Sequence, residues 1–186
     1  LLQIGPTAAD ELIKTLKREN TDIEAIRLSN GEPIAEGAIE AKAGFVLGAL
    51  RTQNAEELLI GSLNKFYKLY QNRNSVPVFA SVPGAVMELS YALGTLGTAK
   101  SVAALQPIAL DLDPNIRVAA TEALVLLGDV SVVKTLLQAA RTGNIDARKN
   151  AIVAVSRLGA GTDLATYNEL AKAATADVPA AEIEKA

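Results

Sequence analysis

The chain of 186 residues contains no cysteine, no histidine and no tryptophan. The missing cysteine excludes disulfides, thiolate metal sites and cysteine nucleophiles. The missing histidine removes the commonest general acid–base and the commonest metal ligand together, and with them any Ser-His-Asp constellation. Aromatic residues are scarce at 4% although 49% of the chain is apolar. Alanine and leucine must therefore fill the interior, a composition that favours closely packed helices over a sheet. No apolar run approaches the ~20 residues needed to span a bilayer, and no signal-peptide pattern is present. A net charge of −3 and a pI near 5.1 provide no global attraction for nucleic acid or an anionic membrane. The first residue is Leu1 rather than Met, which leads us to expect an excised or processed piece of a longer array.

What the chain does have is a period. Gly97, Gly128 and Gly159 are spaced by 31 residues, and each closes a similar apolar phrase. A fixed period of this size marks a repeat array. The same shift superposes Ala92, Ala123 and Ala154, then Leu93, Leu124 and Val155, then Leu96, Leu127 and Leu158. Positions i, i+1 and i+4 form one helical stripe, so helices are predicted over residues 83–96, 114–127 and 145–158. Pro83 and Pro114 fall at first helical positions, where a missing N–H costs nothing. Val82, Asp113, Asn144 and Thr175 occupy the cap site, and the last three are good N-caps. The three glycines suit the left-handed residue that ends a helix.

A second helix is predicted after each glycine. Its inward positions are Val102, Leu105 and Ile108 in one copy and Val133, Leu136 and Ala139 in the next. Pro107 should kink the first of these. The unit is an antiparallel helix pair. Leu47-Gly48 matches Leu93-Gly94 at a distance of 46, one period plus 15 residues, which places an insertion mostly in 71–82. Further helices are expected over 7–18, with Leu12, Ile13 and Leu16 inward, and over 39–51. Another is expected over 56–70, with Leu59, Leu63, Phe66 and Tyr70 on one side. Residues 21–33 are ambiguous apart from a turn at Ser29-Asn30-Gly31. The resulting division is 1–54 irregular repeats, 55–82 a helix with an insertion loop, 83–174 regular repeats and 175–186 a truncated repeat or tail. The fold class expected is all-α, a right-handed α-solenoid of about five antiparallel helix pairs.

The phrase from Asp111 through Pro114, Arg117 and Glu122 to Leu124, followed by Leu127-Gly128-Asp129, resembles a HEAT-like repeat of the bacterial phycobilisome-lyase type. The resemblance covers 83–174 well and the region before residue 55 weakly. It implies an α-solenoid with a binding surface, and a stacking ladder of Asp and Arg. Asp113, Arg117, Asp146 and Arg148 are its candidates, the arginines pairing with these aspartates or with neighbouring carbonyls, and ligand binding by the arginines is the alternative. The earlier copy has Val86 where Arg117 and Arg148 stand, which puts the ladder in doubt at that junction. Relatives that are iron-dependent hydroxylases use His-Glu pairs, which this chain lacks; chromophore lyases of the family stay open. A bacterial chain of this kind would be cytoplasmic or periplasmic.

One stretch departs from the acidic average. Residues 58–87 contain no Asp or Glu but hold Lys65, Lys68 and Arg73, a local +3 against −6 for the remainder. Five of the seven aromatics lie in or beside it: Phe66, Tyr67, Tyr70, Phe79 and Tyr91. Tyrosine and arginine dominate binding hot spots, and loops on rigid scaffolds carry recognition. Lys65, Tyr67, Lys68, Arg73 and Phe79 are thus the candidate partner-binding residues, with irregular core packing as the competing explanation. Tyr67, placed opposite Leu63 and Tyr70, is the first choice for a contact residue. Glu56-Glu57 and Asp10-Glu11 are taken as helix-start acids complementing the dipole. No strand-loop-Lys pattern for a nucleotide phosphate is present. The function expected is a non-catalytic protein-binding scaffold requiring no cofactor. The alternatives are an accessory or lyase-like subunit holding a small molecule near Tyr67 and Phe79, and a weak nucleic-acid-binding solenoid using Lys65, Lys68 and Arg73.

Overall fold

A computed structural model describes residues 5–29, 34–35, 37–72, 81–129, 132 and 168. Seven α-helices are described: α1 Gly5–Leu16, α2 Thr21–Ser29, α3 Ala38–Ala49, α4 Glu56–Gln71, α5 Ser81–Leu96, α6 Ala99–Leu105 and α7 Pro114–Leu126. Two single-turn 3₁₀ segments, Gln53–Ala55 and Ile108–Leu110, lead into α4 and follow α6. Among the described residues there is no strand.

The helices form two layers. In one, α3, α5 and α7 stack in sequence. In the other, α1, α4 and α6 with its 3₁₀ turn each lie against the next member of the first layer. The end of α1 meets the start of α3, where Arg18 Nη2 is 3.2 Å from Glu40 Oε1, so that pair runs antiparallel. Three pairs fall within the described residues. The interior between the layers is filled by Leu47, Leu59, Leu63, Phe66, Leu89, Leu93, Leu105, Ile108, Ile116 and Leu124, all fully buried. Their spacing explains the helices: Leu59, Leu63, Phe66 and Tyr70 recur every three or four residues along α4 and are all buried. The repeated stripe behaves alike, with Ala92, Leu93, Leu96, Ala123 and Leu124 inside.

The helix ends show where local signals hold and where packing overrides them. Asp113 caps α7, its Oδ1 accepting from Asn115 N at 2.9 Å, with Pro114 in the first turn. Gly128 takes φ 73°, and Gly128 N and Asp129 N donate back to Val125 O and Leu124 O, closing the helix in a Schellman motif. Gly97 does not adopt the left-handed conformation expected of it. It is required for space: a Cβ there would collide with Ser101 Oγ and Leu93 O. At the equivalent end of α3 the left-handed residue is Arg51, with φ 51°. Helix α5 starts at Ser81, so Val82 lies inside it rather than at the cap, and Pro83 still falls in the first turn. Pro107 does not kink a continuous helix. Helix α6 stops at Leu105 and the chain resumes as the 3₁₀ turn, because proline cannot donate the next backbone bond. The ambiguous 21–33 segment contains α2, and Asp10 and Glu11 fall in the middle of α1 instead of at its start.

Candidate functional site

The candidate aromatic residues of α4 converge on the loop that precedes α7. Tyr67 and Tyr70 are one turn apart and stack, with ring centroids 6.3 Å apart and planes inclined by 14°. Tyr67 OH donates to Asp111 Oδ2 at 2.8 Å, and Tyr70 OH donates to Asp113 Oδ2 at 3.2 Å. This corrects the placement of Tyr67 opposite Leu63. Four residues advance a helix by a little more than one turn, so Leu63, Tyr67 and Tyr70 share a flank. Tyr67 is half-buried. Burial first, and then its bond to the Asp111 carboxylate, push its phenol up to about 12.

The loop itself is tied from within. Asp111 Oδ1 accepts from Asp113 N at 2.8 Å. Arg117 Nη1 donates to Asp111 O at 2.8 Å and to Leu112 O at 3.3 Å. The guanidinium thus serves carbonyls of its own repeat, while Asp113 is occupied by the Asn115 amide and Tyr70. At this loop the polar link between successive helix pairs is made by the Tyr67 and Tyr70 hydroxyls. Asp146 and Arg148, the other two ladder candidates, lie outside the described residues, as do Arg73 and Phe79.

Between its two aspartates the loop presents Leu112 with 94% of its surface exposed, next to Leu110 at 67%. Lys65 and Lys68 are exposed on α4, and Lys65 Nζ sits 4.8 Å from the centre of the Phe66 ring. The structure therefore brings Tyr67, Tyr70, Asp111 and Asp113 together and leaves the leucines as the outward apolar elements. The leucines were missed because they look like any other Leu in a half-apolar chain. The Asp-x-Asp-Pro spacing, two acids around one residue just before a helix, was the available signal.

On the other edge of the array, Glu56 of α4 crosses to the start of α6. Its Oε1 accepts from Thr98 N at 2.7 Å, Thr98 Oγ1 at 2.9 Å and Ser101 Oγ at 2.7 Å. Burial would raise its pKa. The bonds from Ser101 and from the Thr98 amide and hydroxyl outweigh that and hold it below the usual carboxylate value. The neighbouring Glu57 is exposed and pairs with Lys100.

Residues 85–157 match the family model for HEAT repeats. That stretch, less than half of the chain, is similar to HEAT repeats. No curated protein matches it. Within this matched stretch lie most of α5 and all of α6 and α7, with the Asp111–Asp113 loop. The tyrosines that anchor the loop come from α4, upstream of the matched stretch. Among the described residues no helix is long and apolar enough to cross a membrane.

Proposed function

We propose that this chain is a non-catalytic, protein-binding scaffold: a right-handed solenoid of about five HEAT-like helix pairs, of the phycobilisome-lyase type, that holds a partner through the loop before α7. The supporting observation is the contrast within three residues. Every polar group named in Asp111–Asp113 is bonded inside the molecule, while Leu112 stands 94% exposed. A leucine on a pre-ordered loop loses little conformational freedom on binding, so more of its apolar contact reaches the affinity. Leu110 enlarges the patch, and Lys65 and Lys68 add charge on the neighbouring helix. Repeat solenoids present extended surfaces of this kind to partners.

The test is a photo-crosslinking residue placed at 112 in native extract, with a second placed at the exposed Ala103 as control. A discrete adduct from position 112 alone is expected. Leu112→Asp should then weaken the captured partner at least about tenfold without changing the thermal melt. Equal adducts from both positions, or unchanged affinity in the variant, would refute the reading.

A further inference from the structure

The hydrogen bonds that hold the Leu112 loop divide by origin. Some belong to the repeat that carries it. Arg117 Nη1 donates to the carbonyls of Asp111 and Leu112, Asp111 Oδ1 accepts from Asp113 N, and Asp113 Oδ1 accepts from Asn115 N. These bonds fix the shape of the loop. The others come from α4, whose Tyr67 and Tyr70 hydroxyls reach Asp111 and Asp113 across 44 and 43 residues. These fix where the loop stands.

The two tyrosines are not equivalent. Tyr70 is buried, and the aspartate it meets is already set by the Asn115 amide at the start of α7. Tyr67 is half-buried and meets Asp111, which lies ahead of the helix. Among the described hydrogen bonds, only that of Tyr67 ties Asp111 or Leu112 to a different helix pair. Residues 58–87 hold no Asp or Glu, so the hydroxyl has no nearby carboxylate on its own helix to turn to. Its ring is aimed by stacking on the buried Tyr70 ring, 6.3 Å away between centroids. With the phenol pushed up to about 12, it stays a donor at neutral pH.

We propose that Tyr67 is the positioning residue of the Leu112 site, setting the place of the loop against the exposed side of α4 so that the two form a single surface across two helix pairs. The exposed side of α4 carries Lys65 and Lys68. The inference rests on the docking reading above and adds the residue on which the geometry of that surface depends. A partner spanning it meets a fixed spacing between loop and helix. A loop held only by its own repeat would have to be placed at the moment of binding, at an entropic cost.

The chain has no cysteine, so introduced pairs can carry nitroxide labels without background, and pulsed electron paramagnetic resonance reads the distance between them. One pair, Asn64→Cys with Leu112→Cys, spans α4 and the loop. The other, Leu112→Cys with Leu126→Cys, stays within one repeat; all three positions are exposed. Tyr67→Phe should broaden the 64–112 distribution roughly twofold, the change from a held to a mobile segment, and leave 112–126 as it was. Arg117→Gln, which loosens the shape of the loop, should broaden both. Far-UV circular dichroism checks that each variant keeps its helices. The inference is overturned if Tyr67→Phe leaves 64–112 as narrow as in the parent. It is equally overturned if both pairs broaden alike, since the tyrosine would then shape the loop and not place it. No partner enters this measurement, so it stands or fails separately from the crosslink at position 112.

Discussion

The two edges of the helical stack are joined by opposite chemistry. At the edge where α4 and α6 begin, a buried carboxylate, Glu56, gathers donors from Thr98 and Ser101. At the edge where α4 ends, the donors are the phenols of Tyr67 and Tyr70, and the carboxylates belong to the loop they hold. In the first case the charge is inside and its partners are neutral. In the second the charged groups stay half-buried on a loop, and neutral hydroxyls reach out to them. A charge taken inside must find all its partners there, and Glu56 finds them in Thr98 and Ser101. The second can afford to display a side chain, and it displays Leu112.

The core common to both edges sets the upper limit of any perturbation. Leu124→Ala, at a fully buried position, should destabilise by roughly 2–5 kcal/mol, read as a lowered melting temperature. A melt indistinguishable from the parent would mean the layers do not share one interior. Glu56→Ala comes next. It strands the buried Ser101 hydroxyl and the Thr98 amide, and a loss of about 2–3 kcal/mol is expected from denaturant titration. Because the folded-state pKa of Glu56 is lowered from 4.5, its contribution is complete above about pH 4.5. It falls away as the pH drops through the lowered value. The difference between parent and variant should therefore shrink on acidification.

The tyrosine edge should behave in the reverse sense. Tyr67→Phe keeps the stacked ring and removes the bond to Asp111, at a cost of roughly 1 kcal/mol. The folded-state pKa of Tyr67 is raised from 10.0 to about 12. The stability it protects is whole below pH 10 and is lost as the pH climbs toward 12. Tyr67→Phe should flatten that alkaline limb, and Glu56→Ala should leave it alone. Identical alkaline profiles for parent and Tyr67→Phe would sever the proposed asymmetry. The smallest effect is a gain. Arg51 is held at φ 51°, where a side chain is strained, so Arg51→Gly should stabilise by up to about 1 kcal/mol in the same titration.

Sequence pattern revealed those features that depend on neighbours one or two turns away. The stripe of Leu59, Leu63, Phe66 and Tyr70 and the Asp113-Pro114 helix start were readable because propensity and periodicity act locally. What escaped depends on contacts across some forty residues. Glu56 resembles any acid at a helix start until Thr98 and Ser101 are seen beside it. Gly97 has the sequence context of Gly128, yet one is selected by backbone conformation and the other by a neighbour's hydroxyl. The misplacement of Tyr67 had another origin, since the helical angle between residues 63 and 67 was already available. The loop that its hydroxyl grips was not.

Ser101 is pressed against Gly97 on one side and donates to Glu56 on the other. A single added methyl at 97 could not be absorbed where it is made. It would push the serine off its acceptor and uncouple α4 from α6, turning a change at the end of one helix into a loosened joint between two helix pairs.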